Sequence, residues 1–150
     1  MFSRFILPIA ALAALSMPAL AANGTADEAK ALMERAAAHF EKAGAEQALK
    51  DFTNTGGEFV DRDLYVFCFN LDAVTTAHGG NPALMGKDIS KLKDADGKSF
   101  TLEIRDVAMK SGTGQVDYKW VNPTSKKIEQ KSTYVQRLGD NACGVGFYKT

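Results

Sequence analysis

Tyr65, Tyr118, Trp120 and Tyr134 all fall inside short β-rich runs, and His78 closes another. Lys119 and Lys131 lie in the same runs. An aromatic surface carrying hydroxyls and one or two cations is suited to holding a small carboxylate. Ring walls exclude water, while the cation and hydroxyls meet the anion. Period-two alternation puts Val116, Tyr118 and Trp120 on one sheet face and Lys119 on the other. Lys131 and Tyr134 have opposite parity, so they share a face only through a bulge or a twisted approach. The same residues also fit an ordinary half-buried sheet with amphipathic aromatics, and alternation alone favours that plainer reading.

Other chemistries find less support. Asp61, Asp63 and Asp72 could form an acid/base set, but solvated loop carboxylates are the expectation for all three. GGNPALMG (79–86) lacks the Lys-Ser/Thr ending of a phosphate loop. No HExxH, GxSxG or zinc-ligand spacing occurs. DADG (94–97) resembles the start of a calcium loop but lacks the later bidentate glutamate, and reads as a turn. His39 beside Phe40 reads as a surface or boundary residue. No catalytic residue, metal or cofactor is assigned. Basic and acidic residues number 18 each, so the chain carries no electrostatic footprint for nucleic acid. With 45% hydrophobic and 24% charged residues it has the composition of a folded domain.

Residues 1–21 read as a secretory signal peptide. Arg4 precedes an apolar run from Phe5 to Leu15, and Ala19-Leu20-Ala21 is an A-x-A cleavage site. The run is short for a membrane span, and Pro8 and Pro18 interrupt it. The mature domain is then 22–150, exported, periplasmic in a bacterium, and soluble. Export favours one disulfide between the two cysteines, Cys68 and Cys143. Two buried free thiols are the alternative, and a catalytic thiol the third.

These residues need elements to position them. Thr25 and Glu28 form a capping box. Ala29, Leu32, Met33, Ala36 and Phe40 then recur at helical spacing, and Ala48, Leu49 and Phe52 resume the pattern beyond Gly44. The spacing predicts one long helix to about Asn54, or two with a bend at Gly44. LYVFCFNL (64–71) reads as a central strand covered on both faces. Further strands are expected at 73–78, 115–121, 127–138 and 142–149. Residues 83–94 are mixed, with one helical turn. Residues 99–110 read as a helix, although Phe100, Leu102 and Ile104 also alternate like a strand. The order predicts an α+β domain with one antiparallel sheet of five strands and a helical crossover.

In this order LYVFCF (64–69), AHGGNPALMGK (77–87), DADGK (94–98), YKWVNP (118–123) and KSTYV (131–135) resemble the single Cache domains of bacterial sensors. The resemblance runs from the capped helix to the last strand. It implies a PAS-like fold: a long N-terminal helix packed behind a five-stranded antiparallel sheet, with a ligand pocket on the other face. First and last strands are neighbours in that topology, which suits a Cys68–Cys143 bond. It also implies a small organic anion, a carboxylate, as ligand. Lys131 would supply the charge, Tyr118 and Tyr134 the hydroxyls, and Tyr65, Trp120 and His78 the walls and mouth. Asn70 and Ala73 stand where relatives often carry Asp and Gly. The chain stops after the last strand, so any signal is expected to pass to a separate membrane sensor or chemoreceptor. A homodimer through the N-terminal helix is a further expectation. The competing readings are an accessory subunit with a vestigial pocket, and a small lyase or isomerase on a cone-like fold.

Overall fold

The computed structural model describes residues 23–149. The expected signal peptide and its cleavage site lie outside the described residues. Helix α1 (Ala26–Ala43) starts at the capping box: the Thr25 hydroxyl accepts the Glu28 N–H at 3.2 Å, and the Glu28 carboxylate accepts the Thr25 N–H at 2.8 Å. Its apolar stripe of Ala29, Leu32, Met33, Ala36 and Phe40 is buried. Gly44 at φ +85° ends it and α2 (Ala45–Thr53) begins, so there are two helices with a bend. That backbone region suits glycine because no Cβ meets the following carbonyl. The His39 ring and the Asp51 carboxylate, 2.7 Å apart, tie α1 to α2.

The strands are β1 (Val60–Asp61), β2 (Leu64–Asn70), β3 (Thr75–His78), β4 (Thr113–Val121), β5 (Ile128–Leu138) and β6 (Asn141–Tyr148). All pairings between them are antiparallel, in the order β1-β2-β6-β5-β4, with β3 also paired to β2. The two-residue β1 is a strand that hydrophobic patterning missed. α3 (Phe100–Ser111) crosses between β3 and β4. It buries Phe100, Thr101, Ile104 and Ala108, a helical face, while Leu102 is only half-buried, so the competing strand alternation does not hold. A single 3-10 turn at Pro82–Leu84 is the only regular element between β3 and α3.

The sheet separates two cores. On one side Leu64, Val66, Cys68, Cys143 and Val145 pack against α1 and α2. On the other, Tyr65, Phe67, Phe69, Val116 and Tyr118 pack with α3 and the segment before it. The unbroken apolar run of β2 follows from this: both of its faces are buried. Cys68 pairs directly with Cys143 in the β2–β6 ladder, at a Cα separation of 4.1 Å, and the two are disulfide-bonded.

Asp63 departs from the expected solvated carboxylates. It is fully buried in the β1–β2 turn, where its Oδ1 accepts the Gly24 N–H at 2.7 Å. Asp61 and Asp72 are exposed as expected, but Asp72 lies at the far end of β2 and Asp61 pairs with Arg62, so the three form no set. In the DADG turn, Asp94 accepts the backbone N–H groups of Asp96, Lys98 and Lys119, pinning the segment to β4. The departure noted at Asn70 and Ala73 also has a structural meaning. Ala73 adopts φ +58°, and the Asn70 side chain accepts the Asp72 and Val74 N–H groups to hold the turn.

Candidate functional site

Alternation along β2 turns Tyr65, Phe67 and Phe69 away from the helices α1 and α2. β4 contributes Val116, Tyr118 and Trp120 to the same face. In the register of β5, Lys131 stands between Tyr118 of β4 and Tyr148 of β6. Lys131 is 1% exposed. Its ammonium donates to the Tyr65 hydroxyl at 2.8 Å and lies 4.2 Å from the Tyr65 ring centre and 5.1 Å from that of Tyr148. The stem reaches Tyr65 by crossing Gly146, where a Cβ would overlap Cε of Lys131 and Oγ1 of Thr133.

The electrostatics follow from burial. Loss of water pulls the Lys131 ammonium from its ordinary 10.5 down to about 7, and the charge of Asp63 works in the opposite direction. Among the described residues no carboxylate lies within ion-pair distance of Lys131. Burial pushes the hydroxyls of Tyr65, Tyr118 and Tyr148 well above the usual tyrosine range, so they remain donors. Burial, then the charge of Lys131, lowers His78 to about 3. Its Nδ1 accepts the Asn81 N–H at 2.8 Å, which leaves the proton of the neutral ring on Nε2.

The cavity over this face is lined by Tyr65, Phe67, Phe69, His78, Tyr118 and Trp120 on the strand side. Leu84, Ile89, Leu92, Phe100 and Thr101 cover it. Phe100 stacks on Tyr118 with ring centres 4.3 Å apart. The free volume is about 30 Å³, room for one or two waters. A wider cleft of about 330 Å³ opens beside it, sharing Tyr65, His78 and Trp120 and rimmed by Gly80, Asn81, Val121, Pro123 and Lys126.

Residues 16–146 match the single Cache domain 2 family. The chain belongs to that family. Solved structures similar to this Cache domain include a methyl-accepting chemotaxis protein from Vibrio parahaemolyticus, with TM-score 0.70 and 24% identity over 81% of this chain and 86% of that one. A periplasmic sensor domain of a chemotaxis protein gives 0.64 and 26%, over 83% and 90%. A Cache chemosensory domain, solved for the structural basis of its carboxylic acid recognition, gives 0.63 and 27%, over 81% and 86%. In sequence, the methyl-accepting chemotaxis protein McpP of Pseudomonas putida is 30% identical over 76 residues, 51% of this chain. The Cache domain spans only 14% of that relative's length.

The fold brings five of the six sequence-predicted residues to one face: Tyr65, His78, Tyr118, Trp120 and Lys131. Tyr134 is the exception. Its parity on β5 turns it toward the helices, where its ring packs 6.0 Å from Phe147. β5 runs through Tyr118↔Lys131 and Gln115↔Tyr134 without the bulge that sharing a face would require. The Tyr118 hydroxyl instead pairs with Thr133 at 3.0 Å. Lys119 lies on the other side, where its ammonium meets the Asp96 carboxylate at 3.0 Å. Sequence reasoning missed Tyr148, which hairpin counting from the Gly139-Asp140 turn sets opposite Lys131. It also missed Thr75 and Thr101, whose small hydroxylated side chains carry no pattern signal.

Proposed function

We propose that this Cache domain binds a small organic anion, a carboxylate, through Lys131. The carrying observation is the buried Lys131 ammonium with a tyrosine hydroxyl for partner and, among the described residues, no carboxylate in ion-pair range. A cation stripped of water destabilises the fold unless charge compensates it, and a ligand carboxylate supplies that charge. Tyr65 and Tyr118 are the hydroxyl donors of this reading, with His78 and Trp120 at the mouth. The similar Cache domain solved for carboxylic acid recognition supports it.

We further propose that residues 1–21 are an export signal and 22–150 a free periplasmic module, which presents its ligand to a separate membrane receptor. Among the described residues no helix is long and apolar enough to cross a membrane. The names of the chemotaxis relatives support a receptor as partner. A homodimer through α1 would use a surface of charged and small residues, because the large apolar side chains of α1 are spent on the sheet.

A thermal-shift screen of small acids tests the reading. A ligand at one hundred times its Kd adds about 2.7 kcal/mol of stability. An accessory role with a vestigial pocket is favoured by one observation, the small free volume of the inner cavity. The absence of a shift from every acid screened would select that second reading.

A further inference from the structure

Two voids meet at Tyr65, His78 and Trp120, and they differ in what they can hold. The inner cavity has room for one or two waters, which suit its two unpartnered hydroxyls, those of Thr75 and Thr101. The outer cleft, at about 330 Å³, has room for a small organic molecule. Lys131 lines neither void, since its ammonium is held at the Tyr65 hydroxyl.

The walls of the cleft favour a flat ring. Tyr65, His78, Trp120 and Pro123 all present rings to it. The Tyr65 and His78 rings lie 5.0 Å apart, centre to centre. Gly80 lets the loop after β3 close over Tyr65, because a Cβ there would come within 2.6 Å of the Tyr65 ring. Trp120 is half-buried, with Phe100 packed 5.3 Å from it. Ring pairs of this kind gain more than the area they bury.

The polar side chains of the cleft select the sign of a ligand. No aspartate or glutamate lines it. His78 is 7% exposed, and its Nδ1 already accepts the Asn81 N–H, so the neutral ring offers only its Nε2–H. The Asn81 side-chain oxygen is taken by the Ala83 N–H, which leaves the amide N–H groups. Lys126 sits in a turn closed by its own N–H on the Asn122 carbonyl and the Asn122 N–H on the Lys127 carbonyl. Among the described residues its ammonium has no ion pair, and the His78 Nε2–H has no acceptor. A cation entering the cleft meets no counter-charge, whereas an anion meets a lysine and unpaired N–H donors.

We propose that the outer cleft is a second binding site, separate from Lys131, for a small aromatic carboxylate. It stands without the carboxylate reading of Lys131.

Trp120 is the only tryptophan of the chain, so its fluorescence reports on this cleft. Titrations with benzoate, cyclohexanecarboxylate, benzyl alcohol and benzylammonium test the site. Benzoate should change the emission saturably, binding about threefold more tightly than cyclohexanecarboxylate and about tenfold more tightly than benzyl alcohol. Lys126→Met should weaken benzoate by up to about fivefold, the range of an exposed ion pair. His78→Asn can still accept the Asn81 N–H but loses the Nε2–H, and should weaken benzoate about tenfold. Lys126→Met, at the surface, carries the test if His78→Asn does not fold. Lys131→Met, expected to lose the aliphatic acids, should keep benzoate. No saturable emission change would overturn the site, as would benzylammonium or cyclohexanecarboxylate binding as tightly as benzoate. Benzoate affinity unchanged in Lys126→Met and in His78→Asn would do the same. Loss of benzoate in Lys131→Met would overturn the cleft as a separate site. Binding of benzoate but of no alkanoate would overturn the carboxylate reading of Lys131 alone.

Discussion

The Lys131 ammonium bonds the Tyr65 hydroxyl across Gly146, so two residues 66 positions apart meet only because the strand between them carries no side chain there. β2 and β5 both pair with β6, and Gly146 is the gap in β6 through which they touch.

Lys131→Met should weaken binding of the best acid about tenfold to a hundredfold, the loss expected for one charge-assisted hydrogen bond. Lys119→Met should change it little, because Lys119 faces out toward Asp96. Calorimetry on both variants decides. Equal affinity in the wild type and Lys131→Met would remove Lys131 from the site.

Binding should take up protons near neutrality. With Lys131 at about 7, an anion selects the charged lysine. Affinity should therefore fall, by up to about tenfold per pH unit, as pH rises above that value. His78 is neutral down to about 3 and adds nothing in this window. Calorimetry in buffers of different ionisation enthalpy reads the proton uptake directly. Affinity unchanged between pH 6 and 9 would contradict it.

The ligand-free domain should behave in the opposite sense. A lysine lowered on folding is charged in the unfolded chain and neutral in the folded one between about 7 and 10.5. The unfolded state then binds more protons, so stability rises with pH across that window, by on the order of 5 kcal/mol at most. Urea titrations should show this rise in the wild type and lose it in Lys131→Met.

Gly146→Ala should disturb the site while the fold persists. The added methyl overlaps Lys131 Cε and Thr133 Oγ1, and the lysine stem must leave its path. The expected result is loss of acid binding with an unchanged far-ultraviolet circular dichroism spectrum. Retained affinity would mean that the ammonium reaches its ligand by another route.

Reduction of Cys68–Cys143 should lower the melting temperature. The bond closes a separation of 75 residues, worth roughly 3–5 kcal/mol in the chain-entropy model. The Cys68→Ser, Cys143→Ser double variant should fold with a lower midpoint, and scanning calorimetry with and without reductant measures the difference.

Much of this molecule could be read from its sequence. The capping box, the apolar stripe and the doubly buried β2 follow from local spacing, and the structure carries all three. The antiparallel pairing of Cys68 with Cys143 also emerged as expected. The site was harder, because its contacts cross the sheet. Parity already separated Lys131 from Tyr134, and the straight β5 ladder kept them on opposite faces. Asp63 looked like any turn carboxylate. Its burial depends on the start of α1 folding over the β1–β2 turn, 39 residues away in sequence. Thr75 and Thr101 become conspicuous only when their missing partners can be counted.

The disulfide divides the chain topologically. β3, the cover over the cavity, α3, β4 and β5 all belong to the covalent ring that it closes, whereas α1, α2 and β1 lie outside. A protease that nicks the exposed segment around Lys87 or Lys93 therefore releases nothing: the two fragments stay joined covalently through the disulfide, and that tie breaks only under reductant. A cut in the helical arm before β2, by contrast, leaves a peptide held by packing alone, with no covalent tie to the sheet. The cavity's cover is the part of this protein that can be broken without being lost.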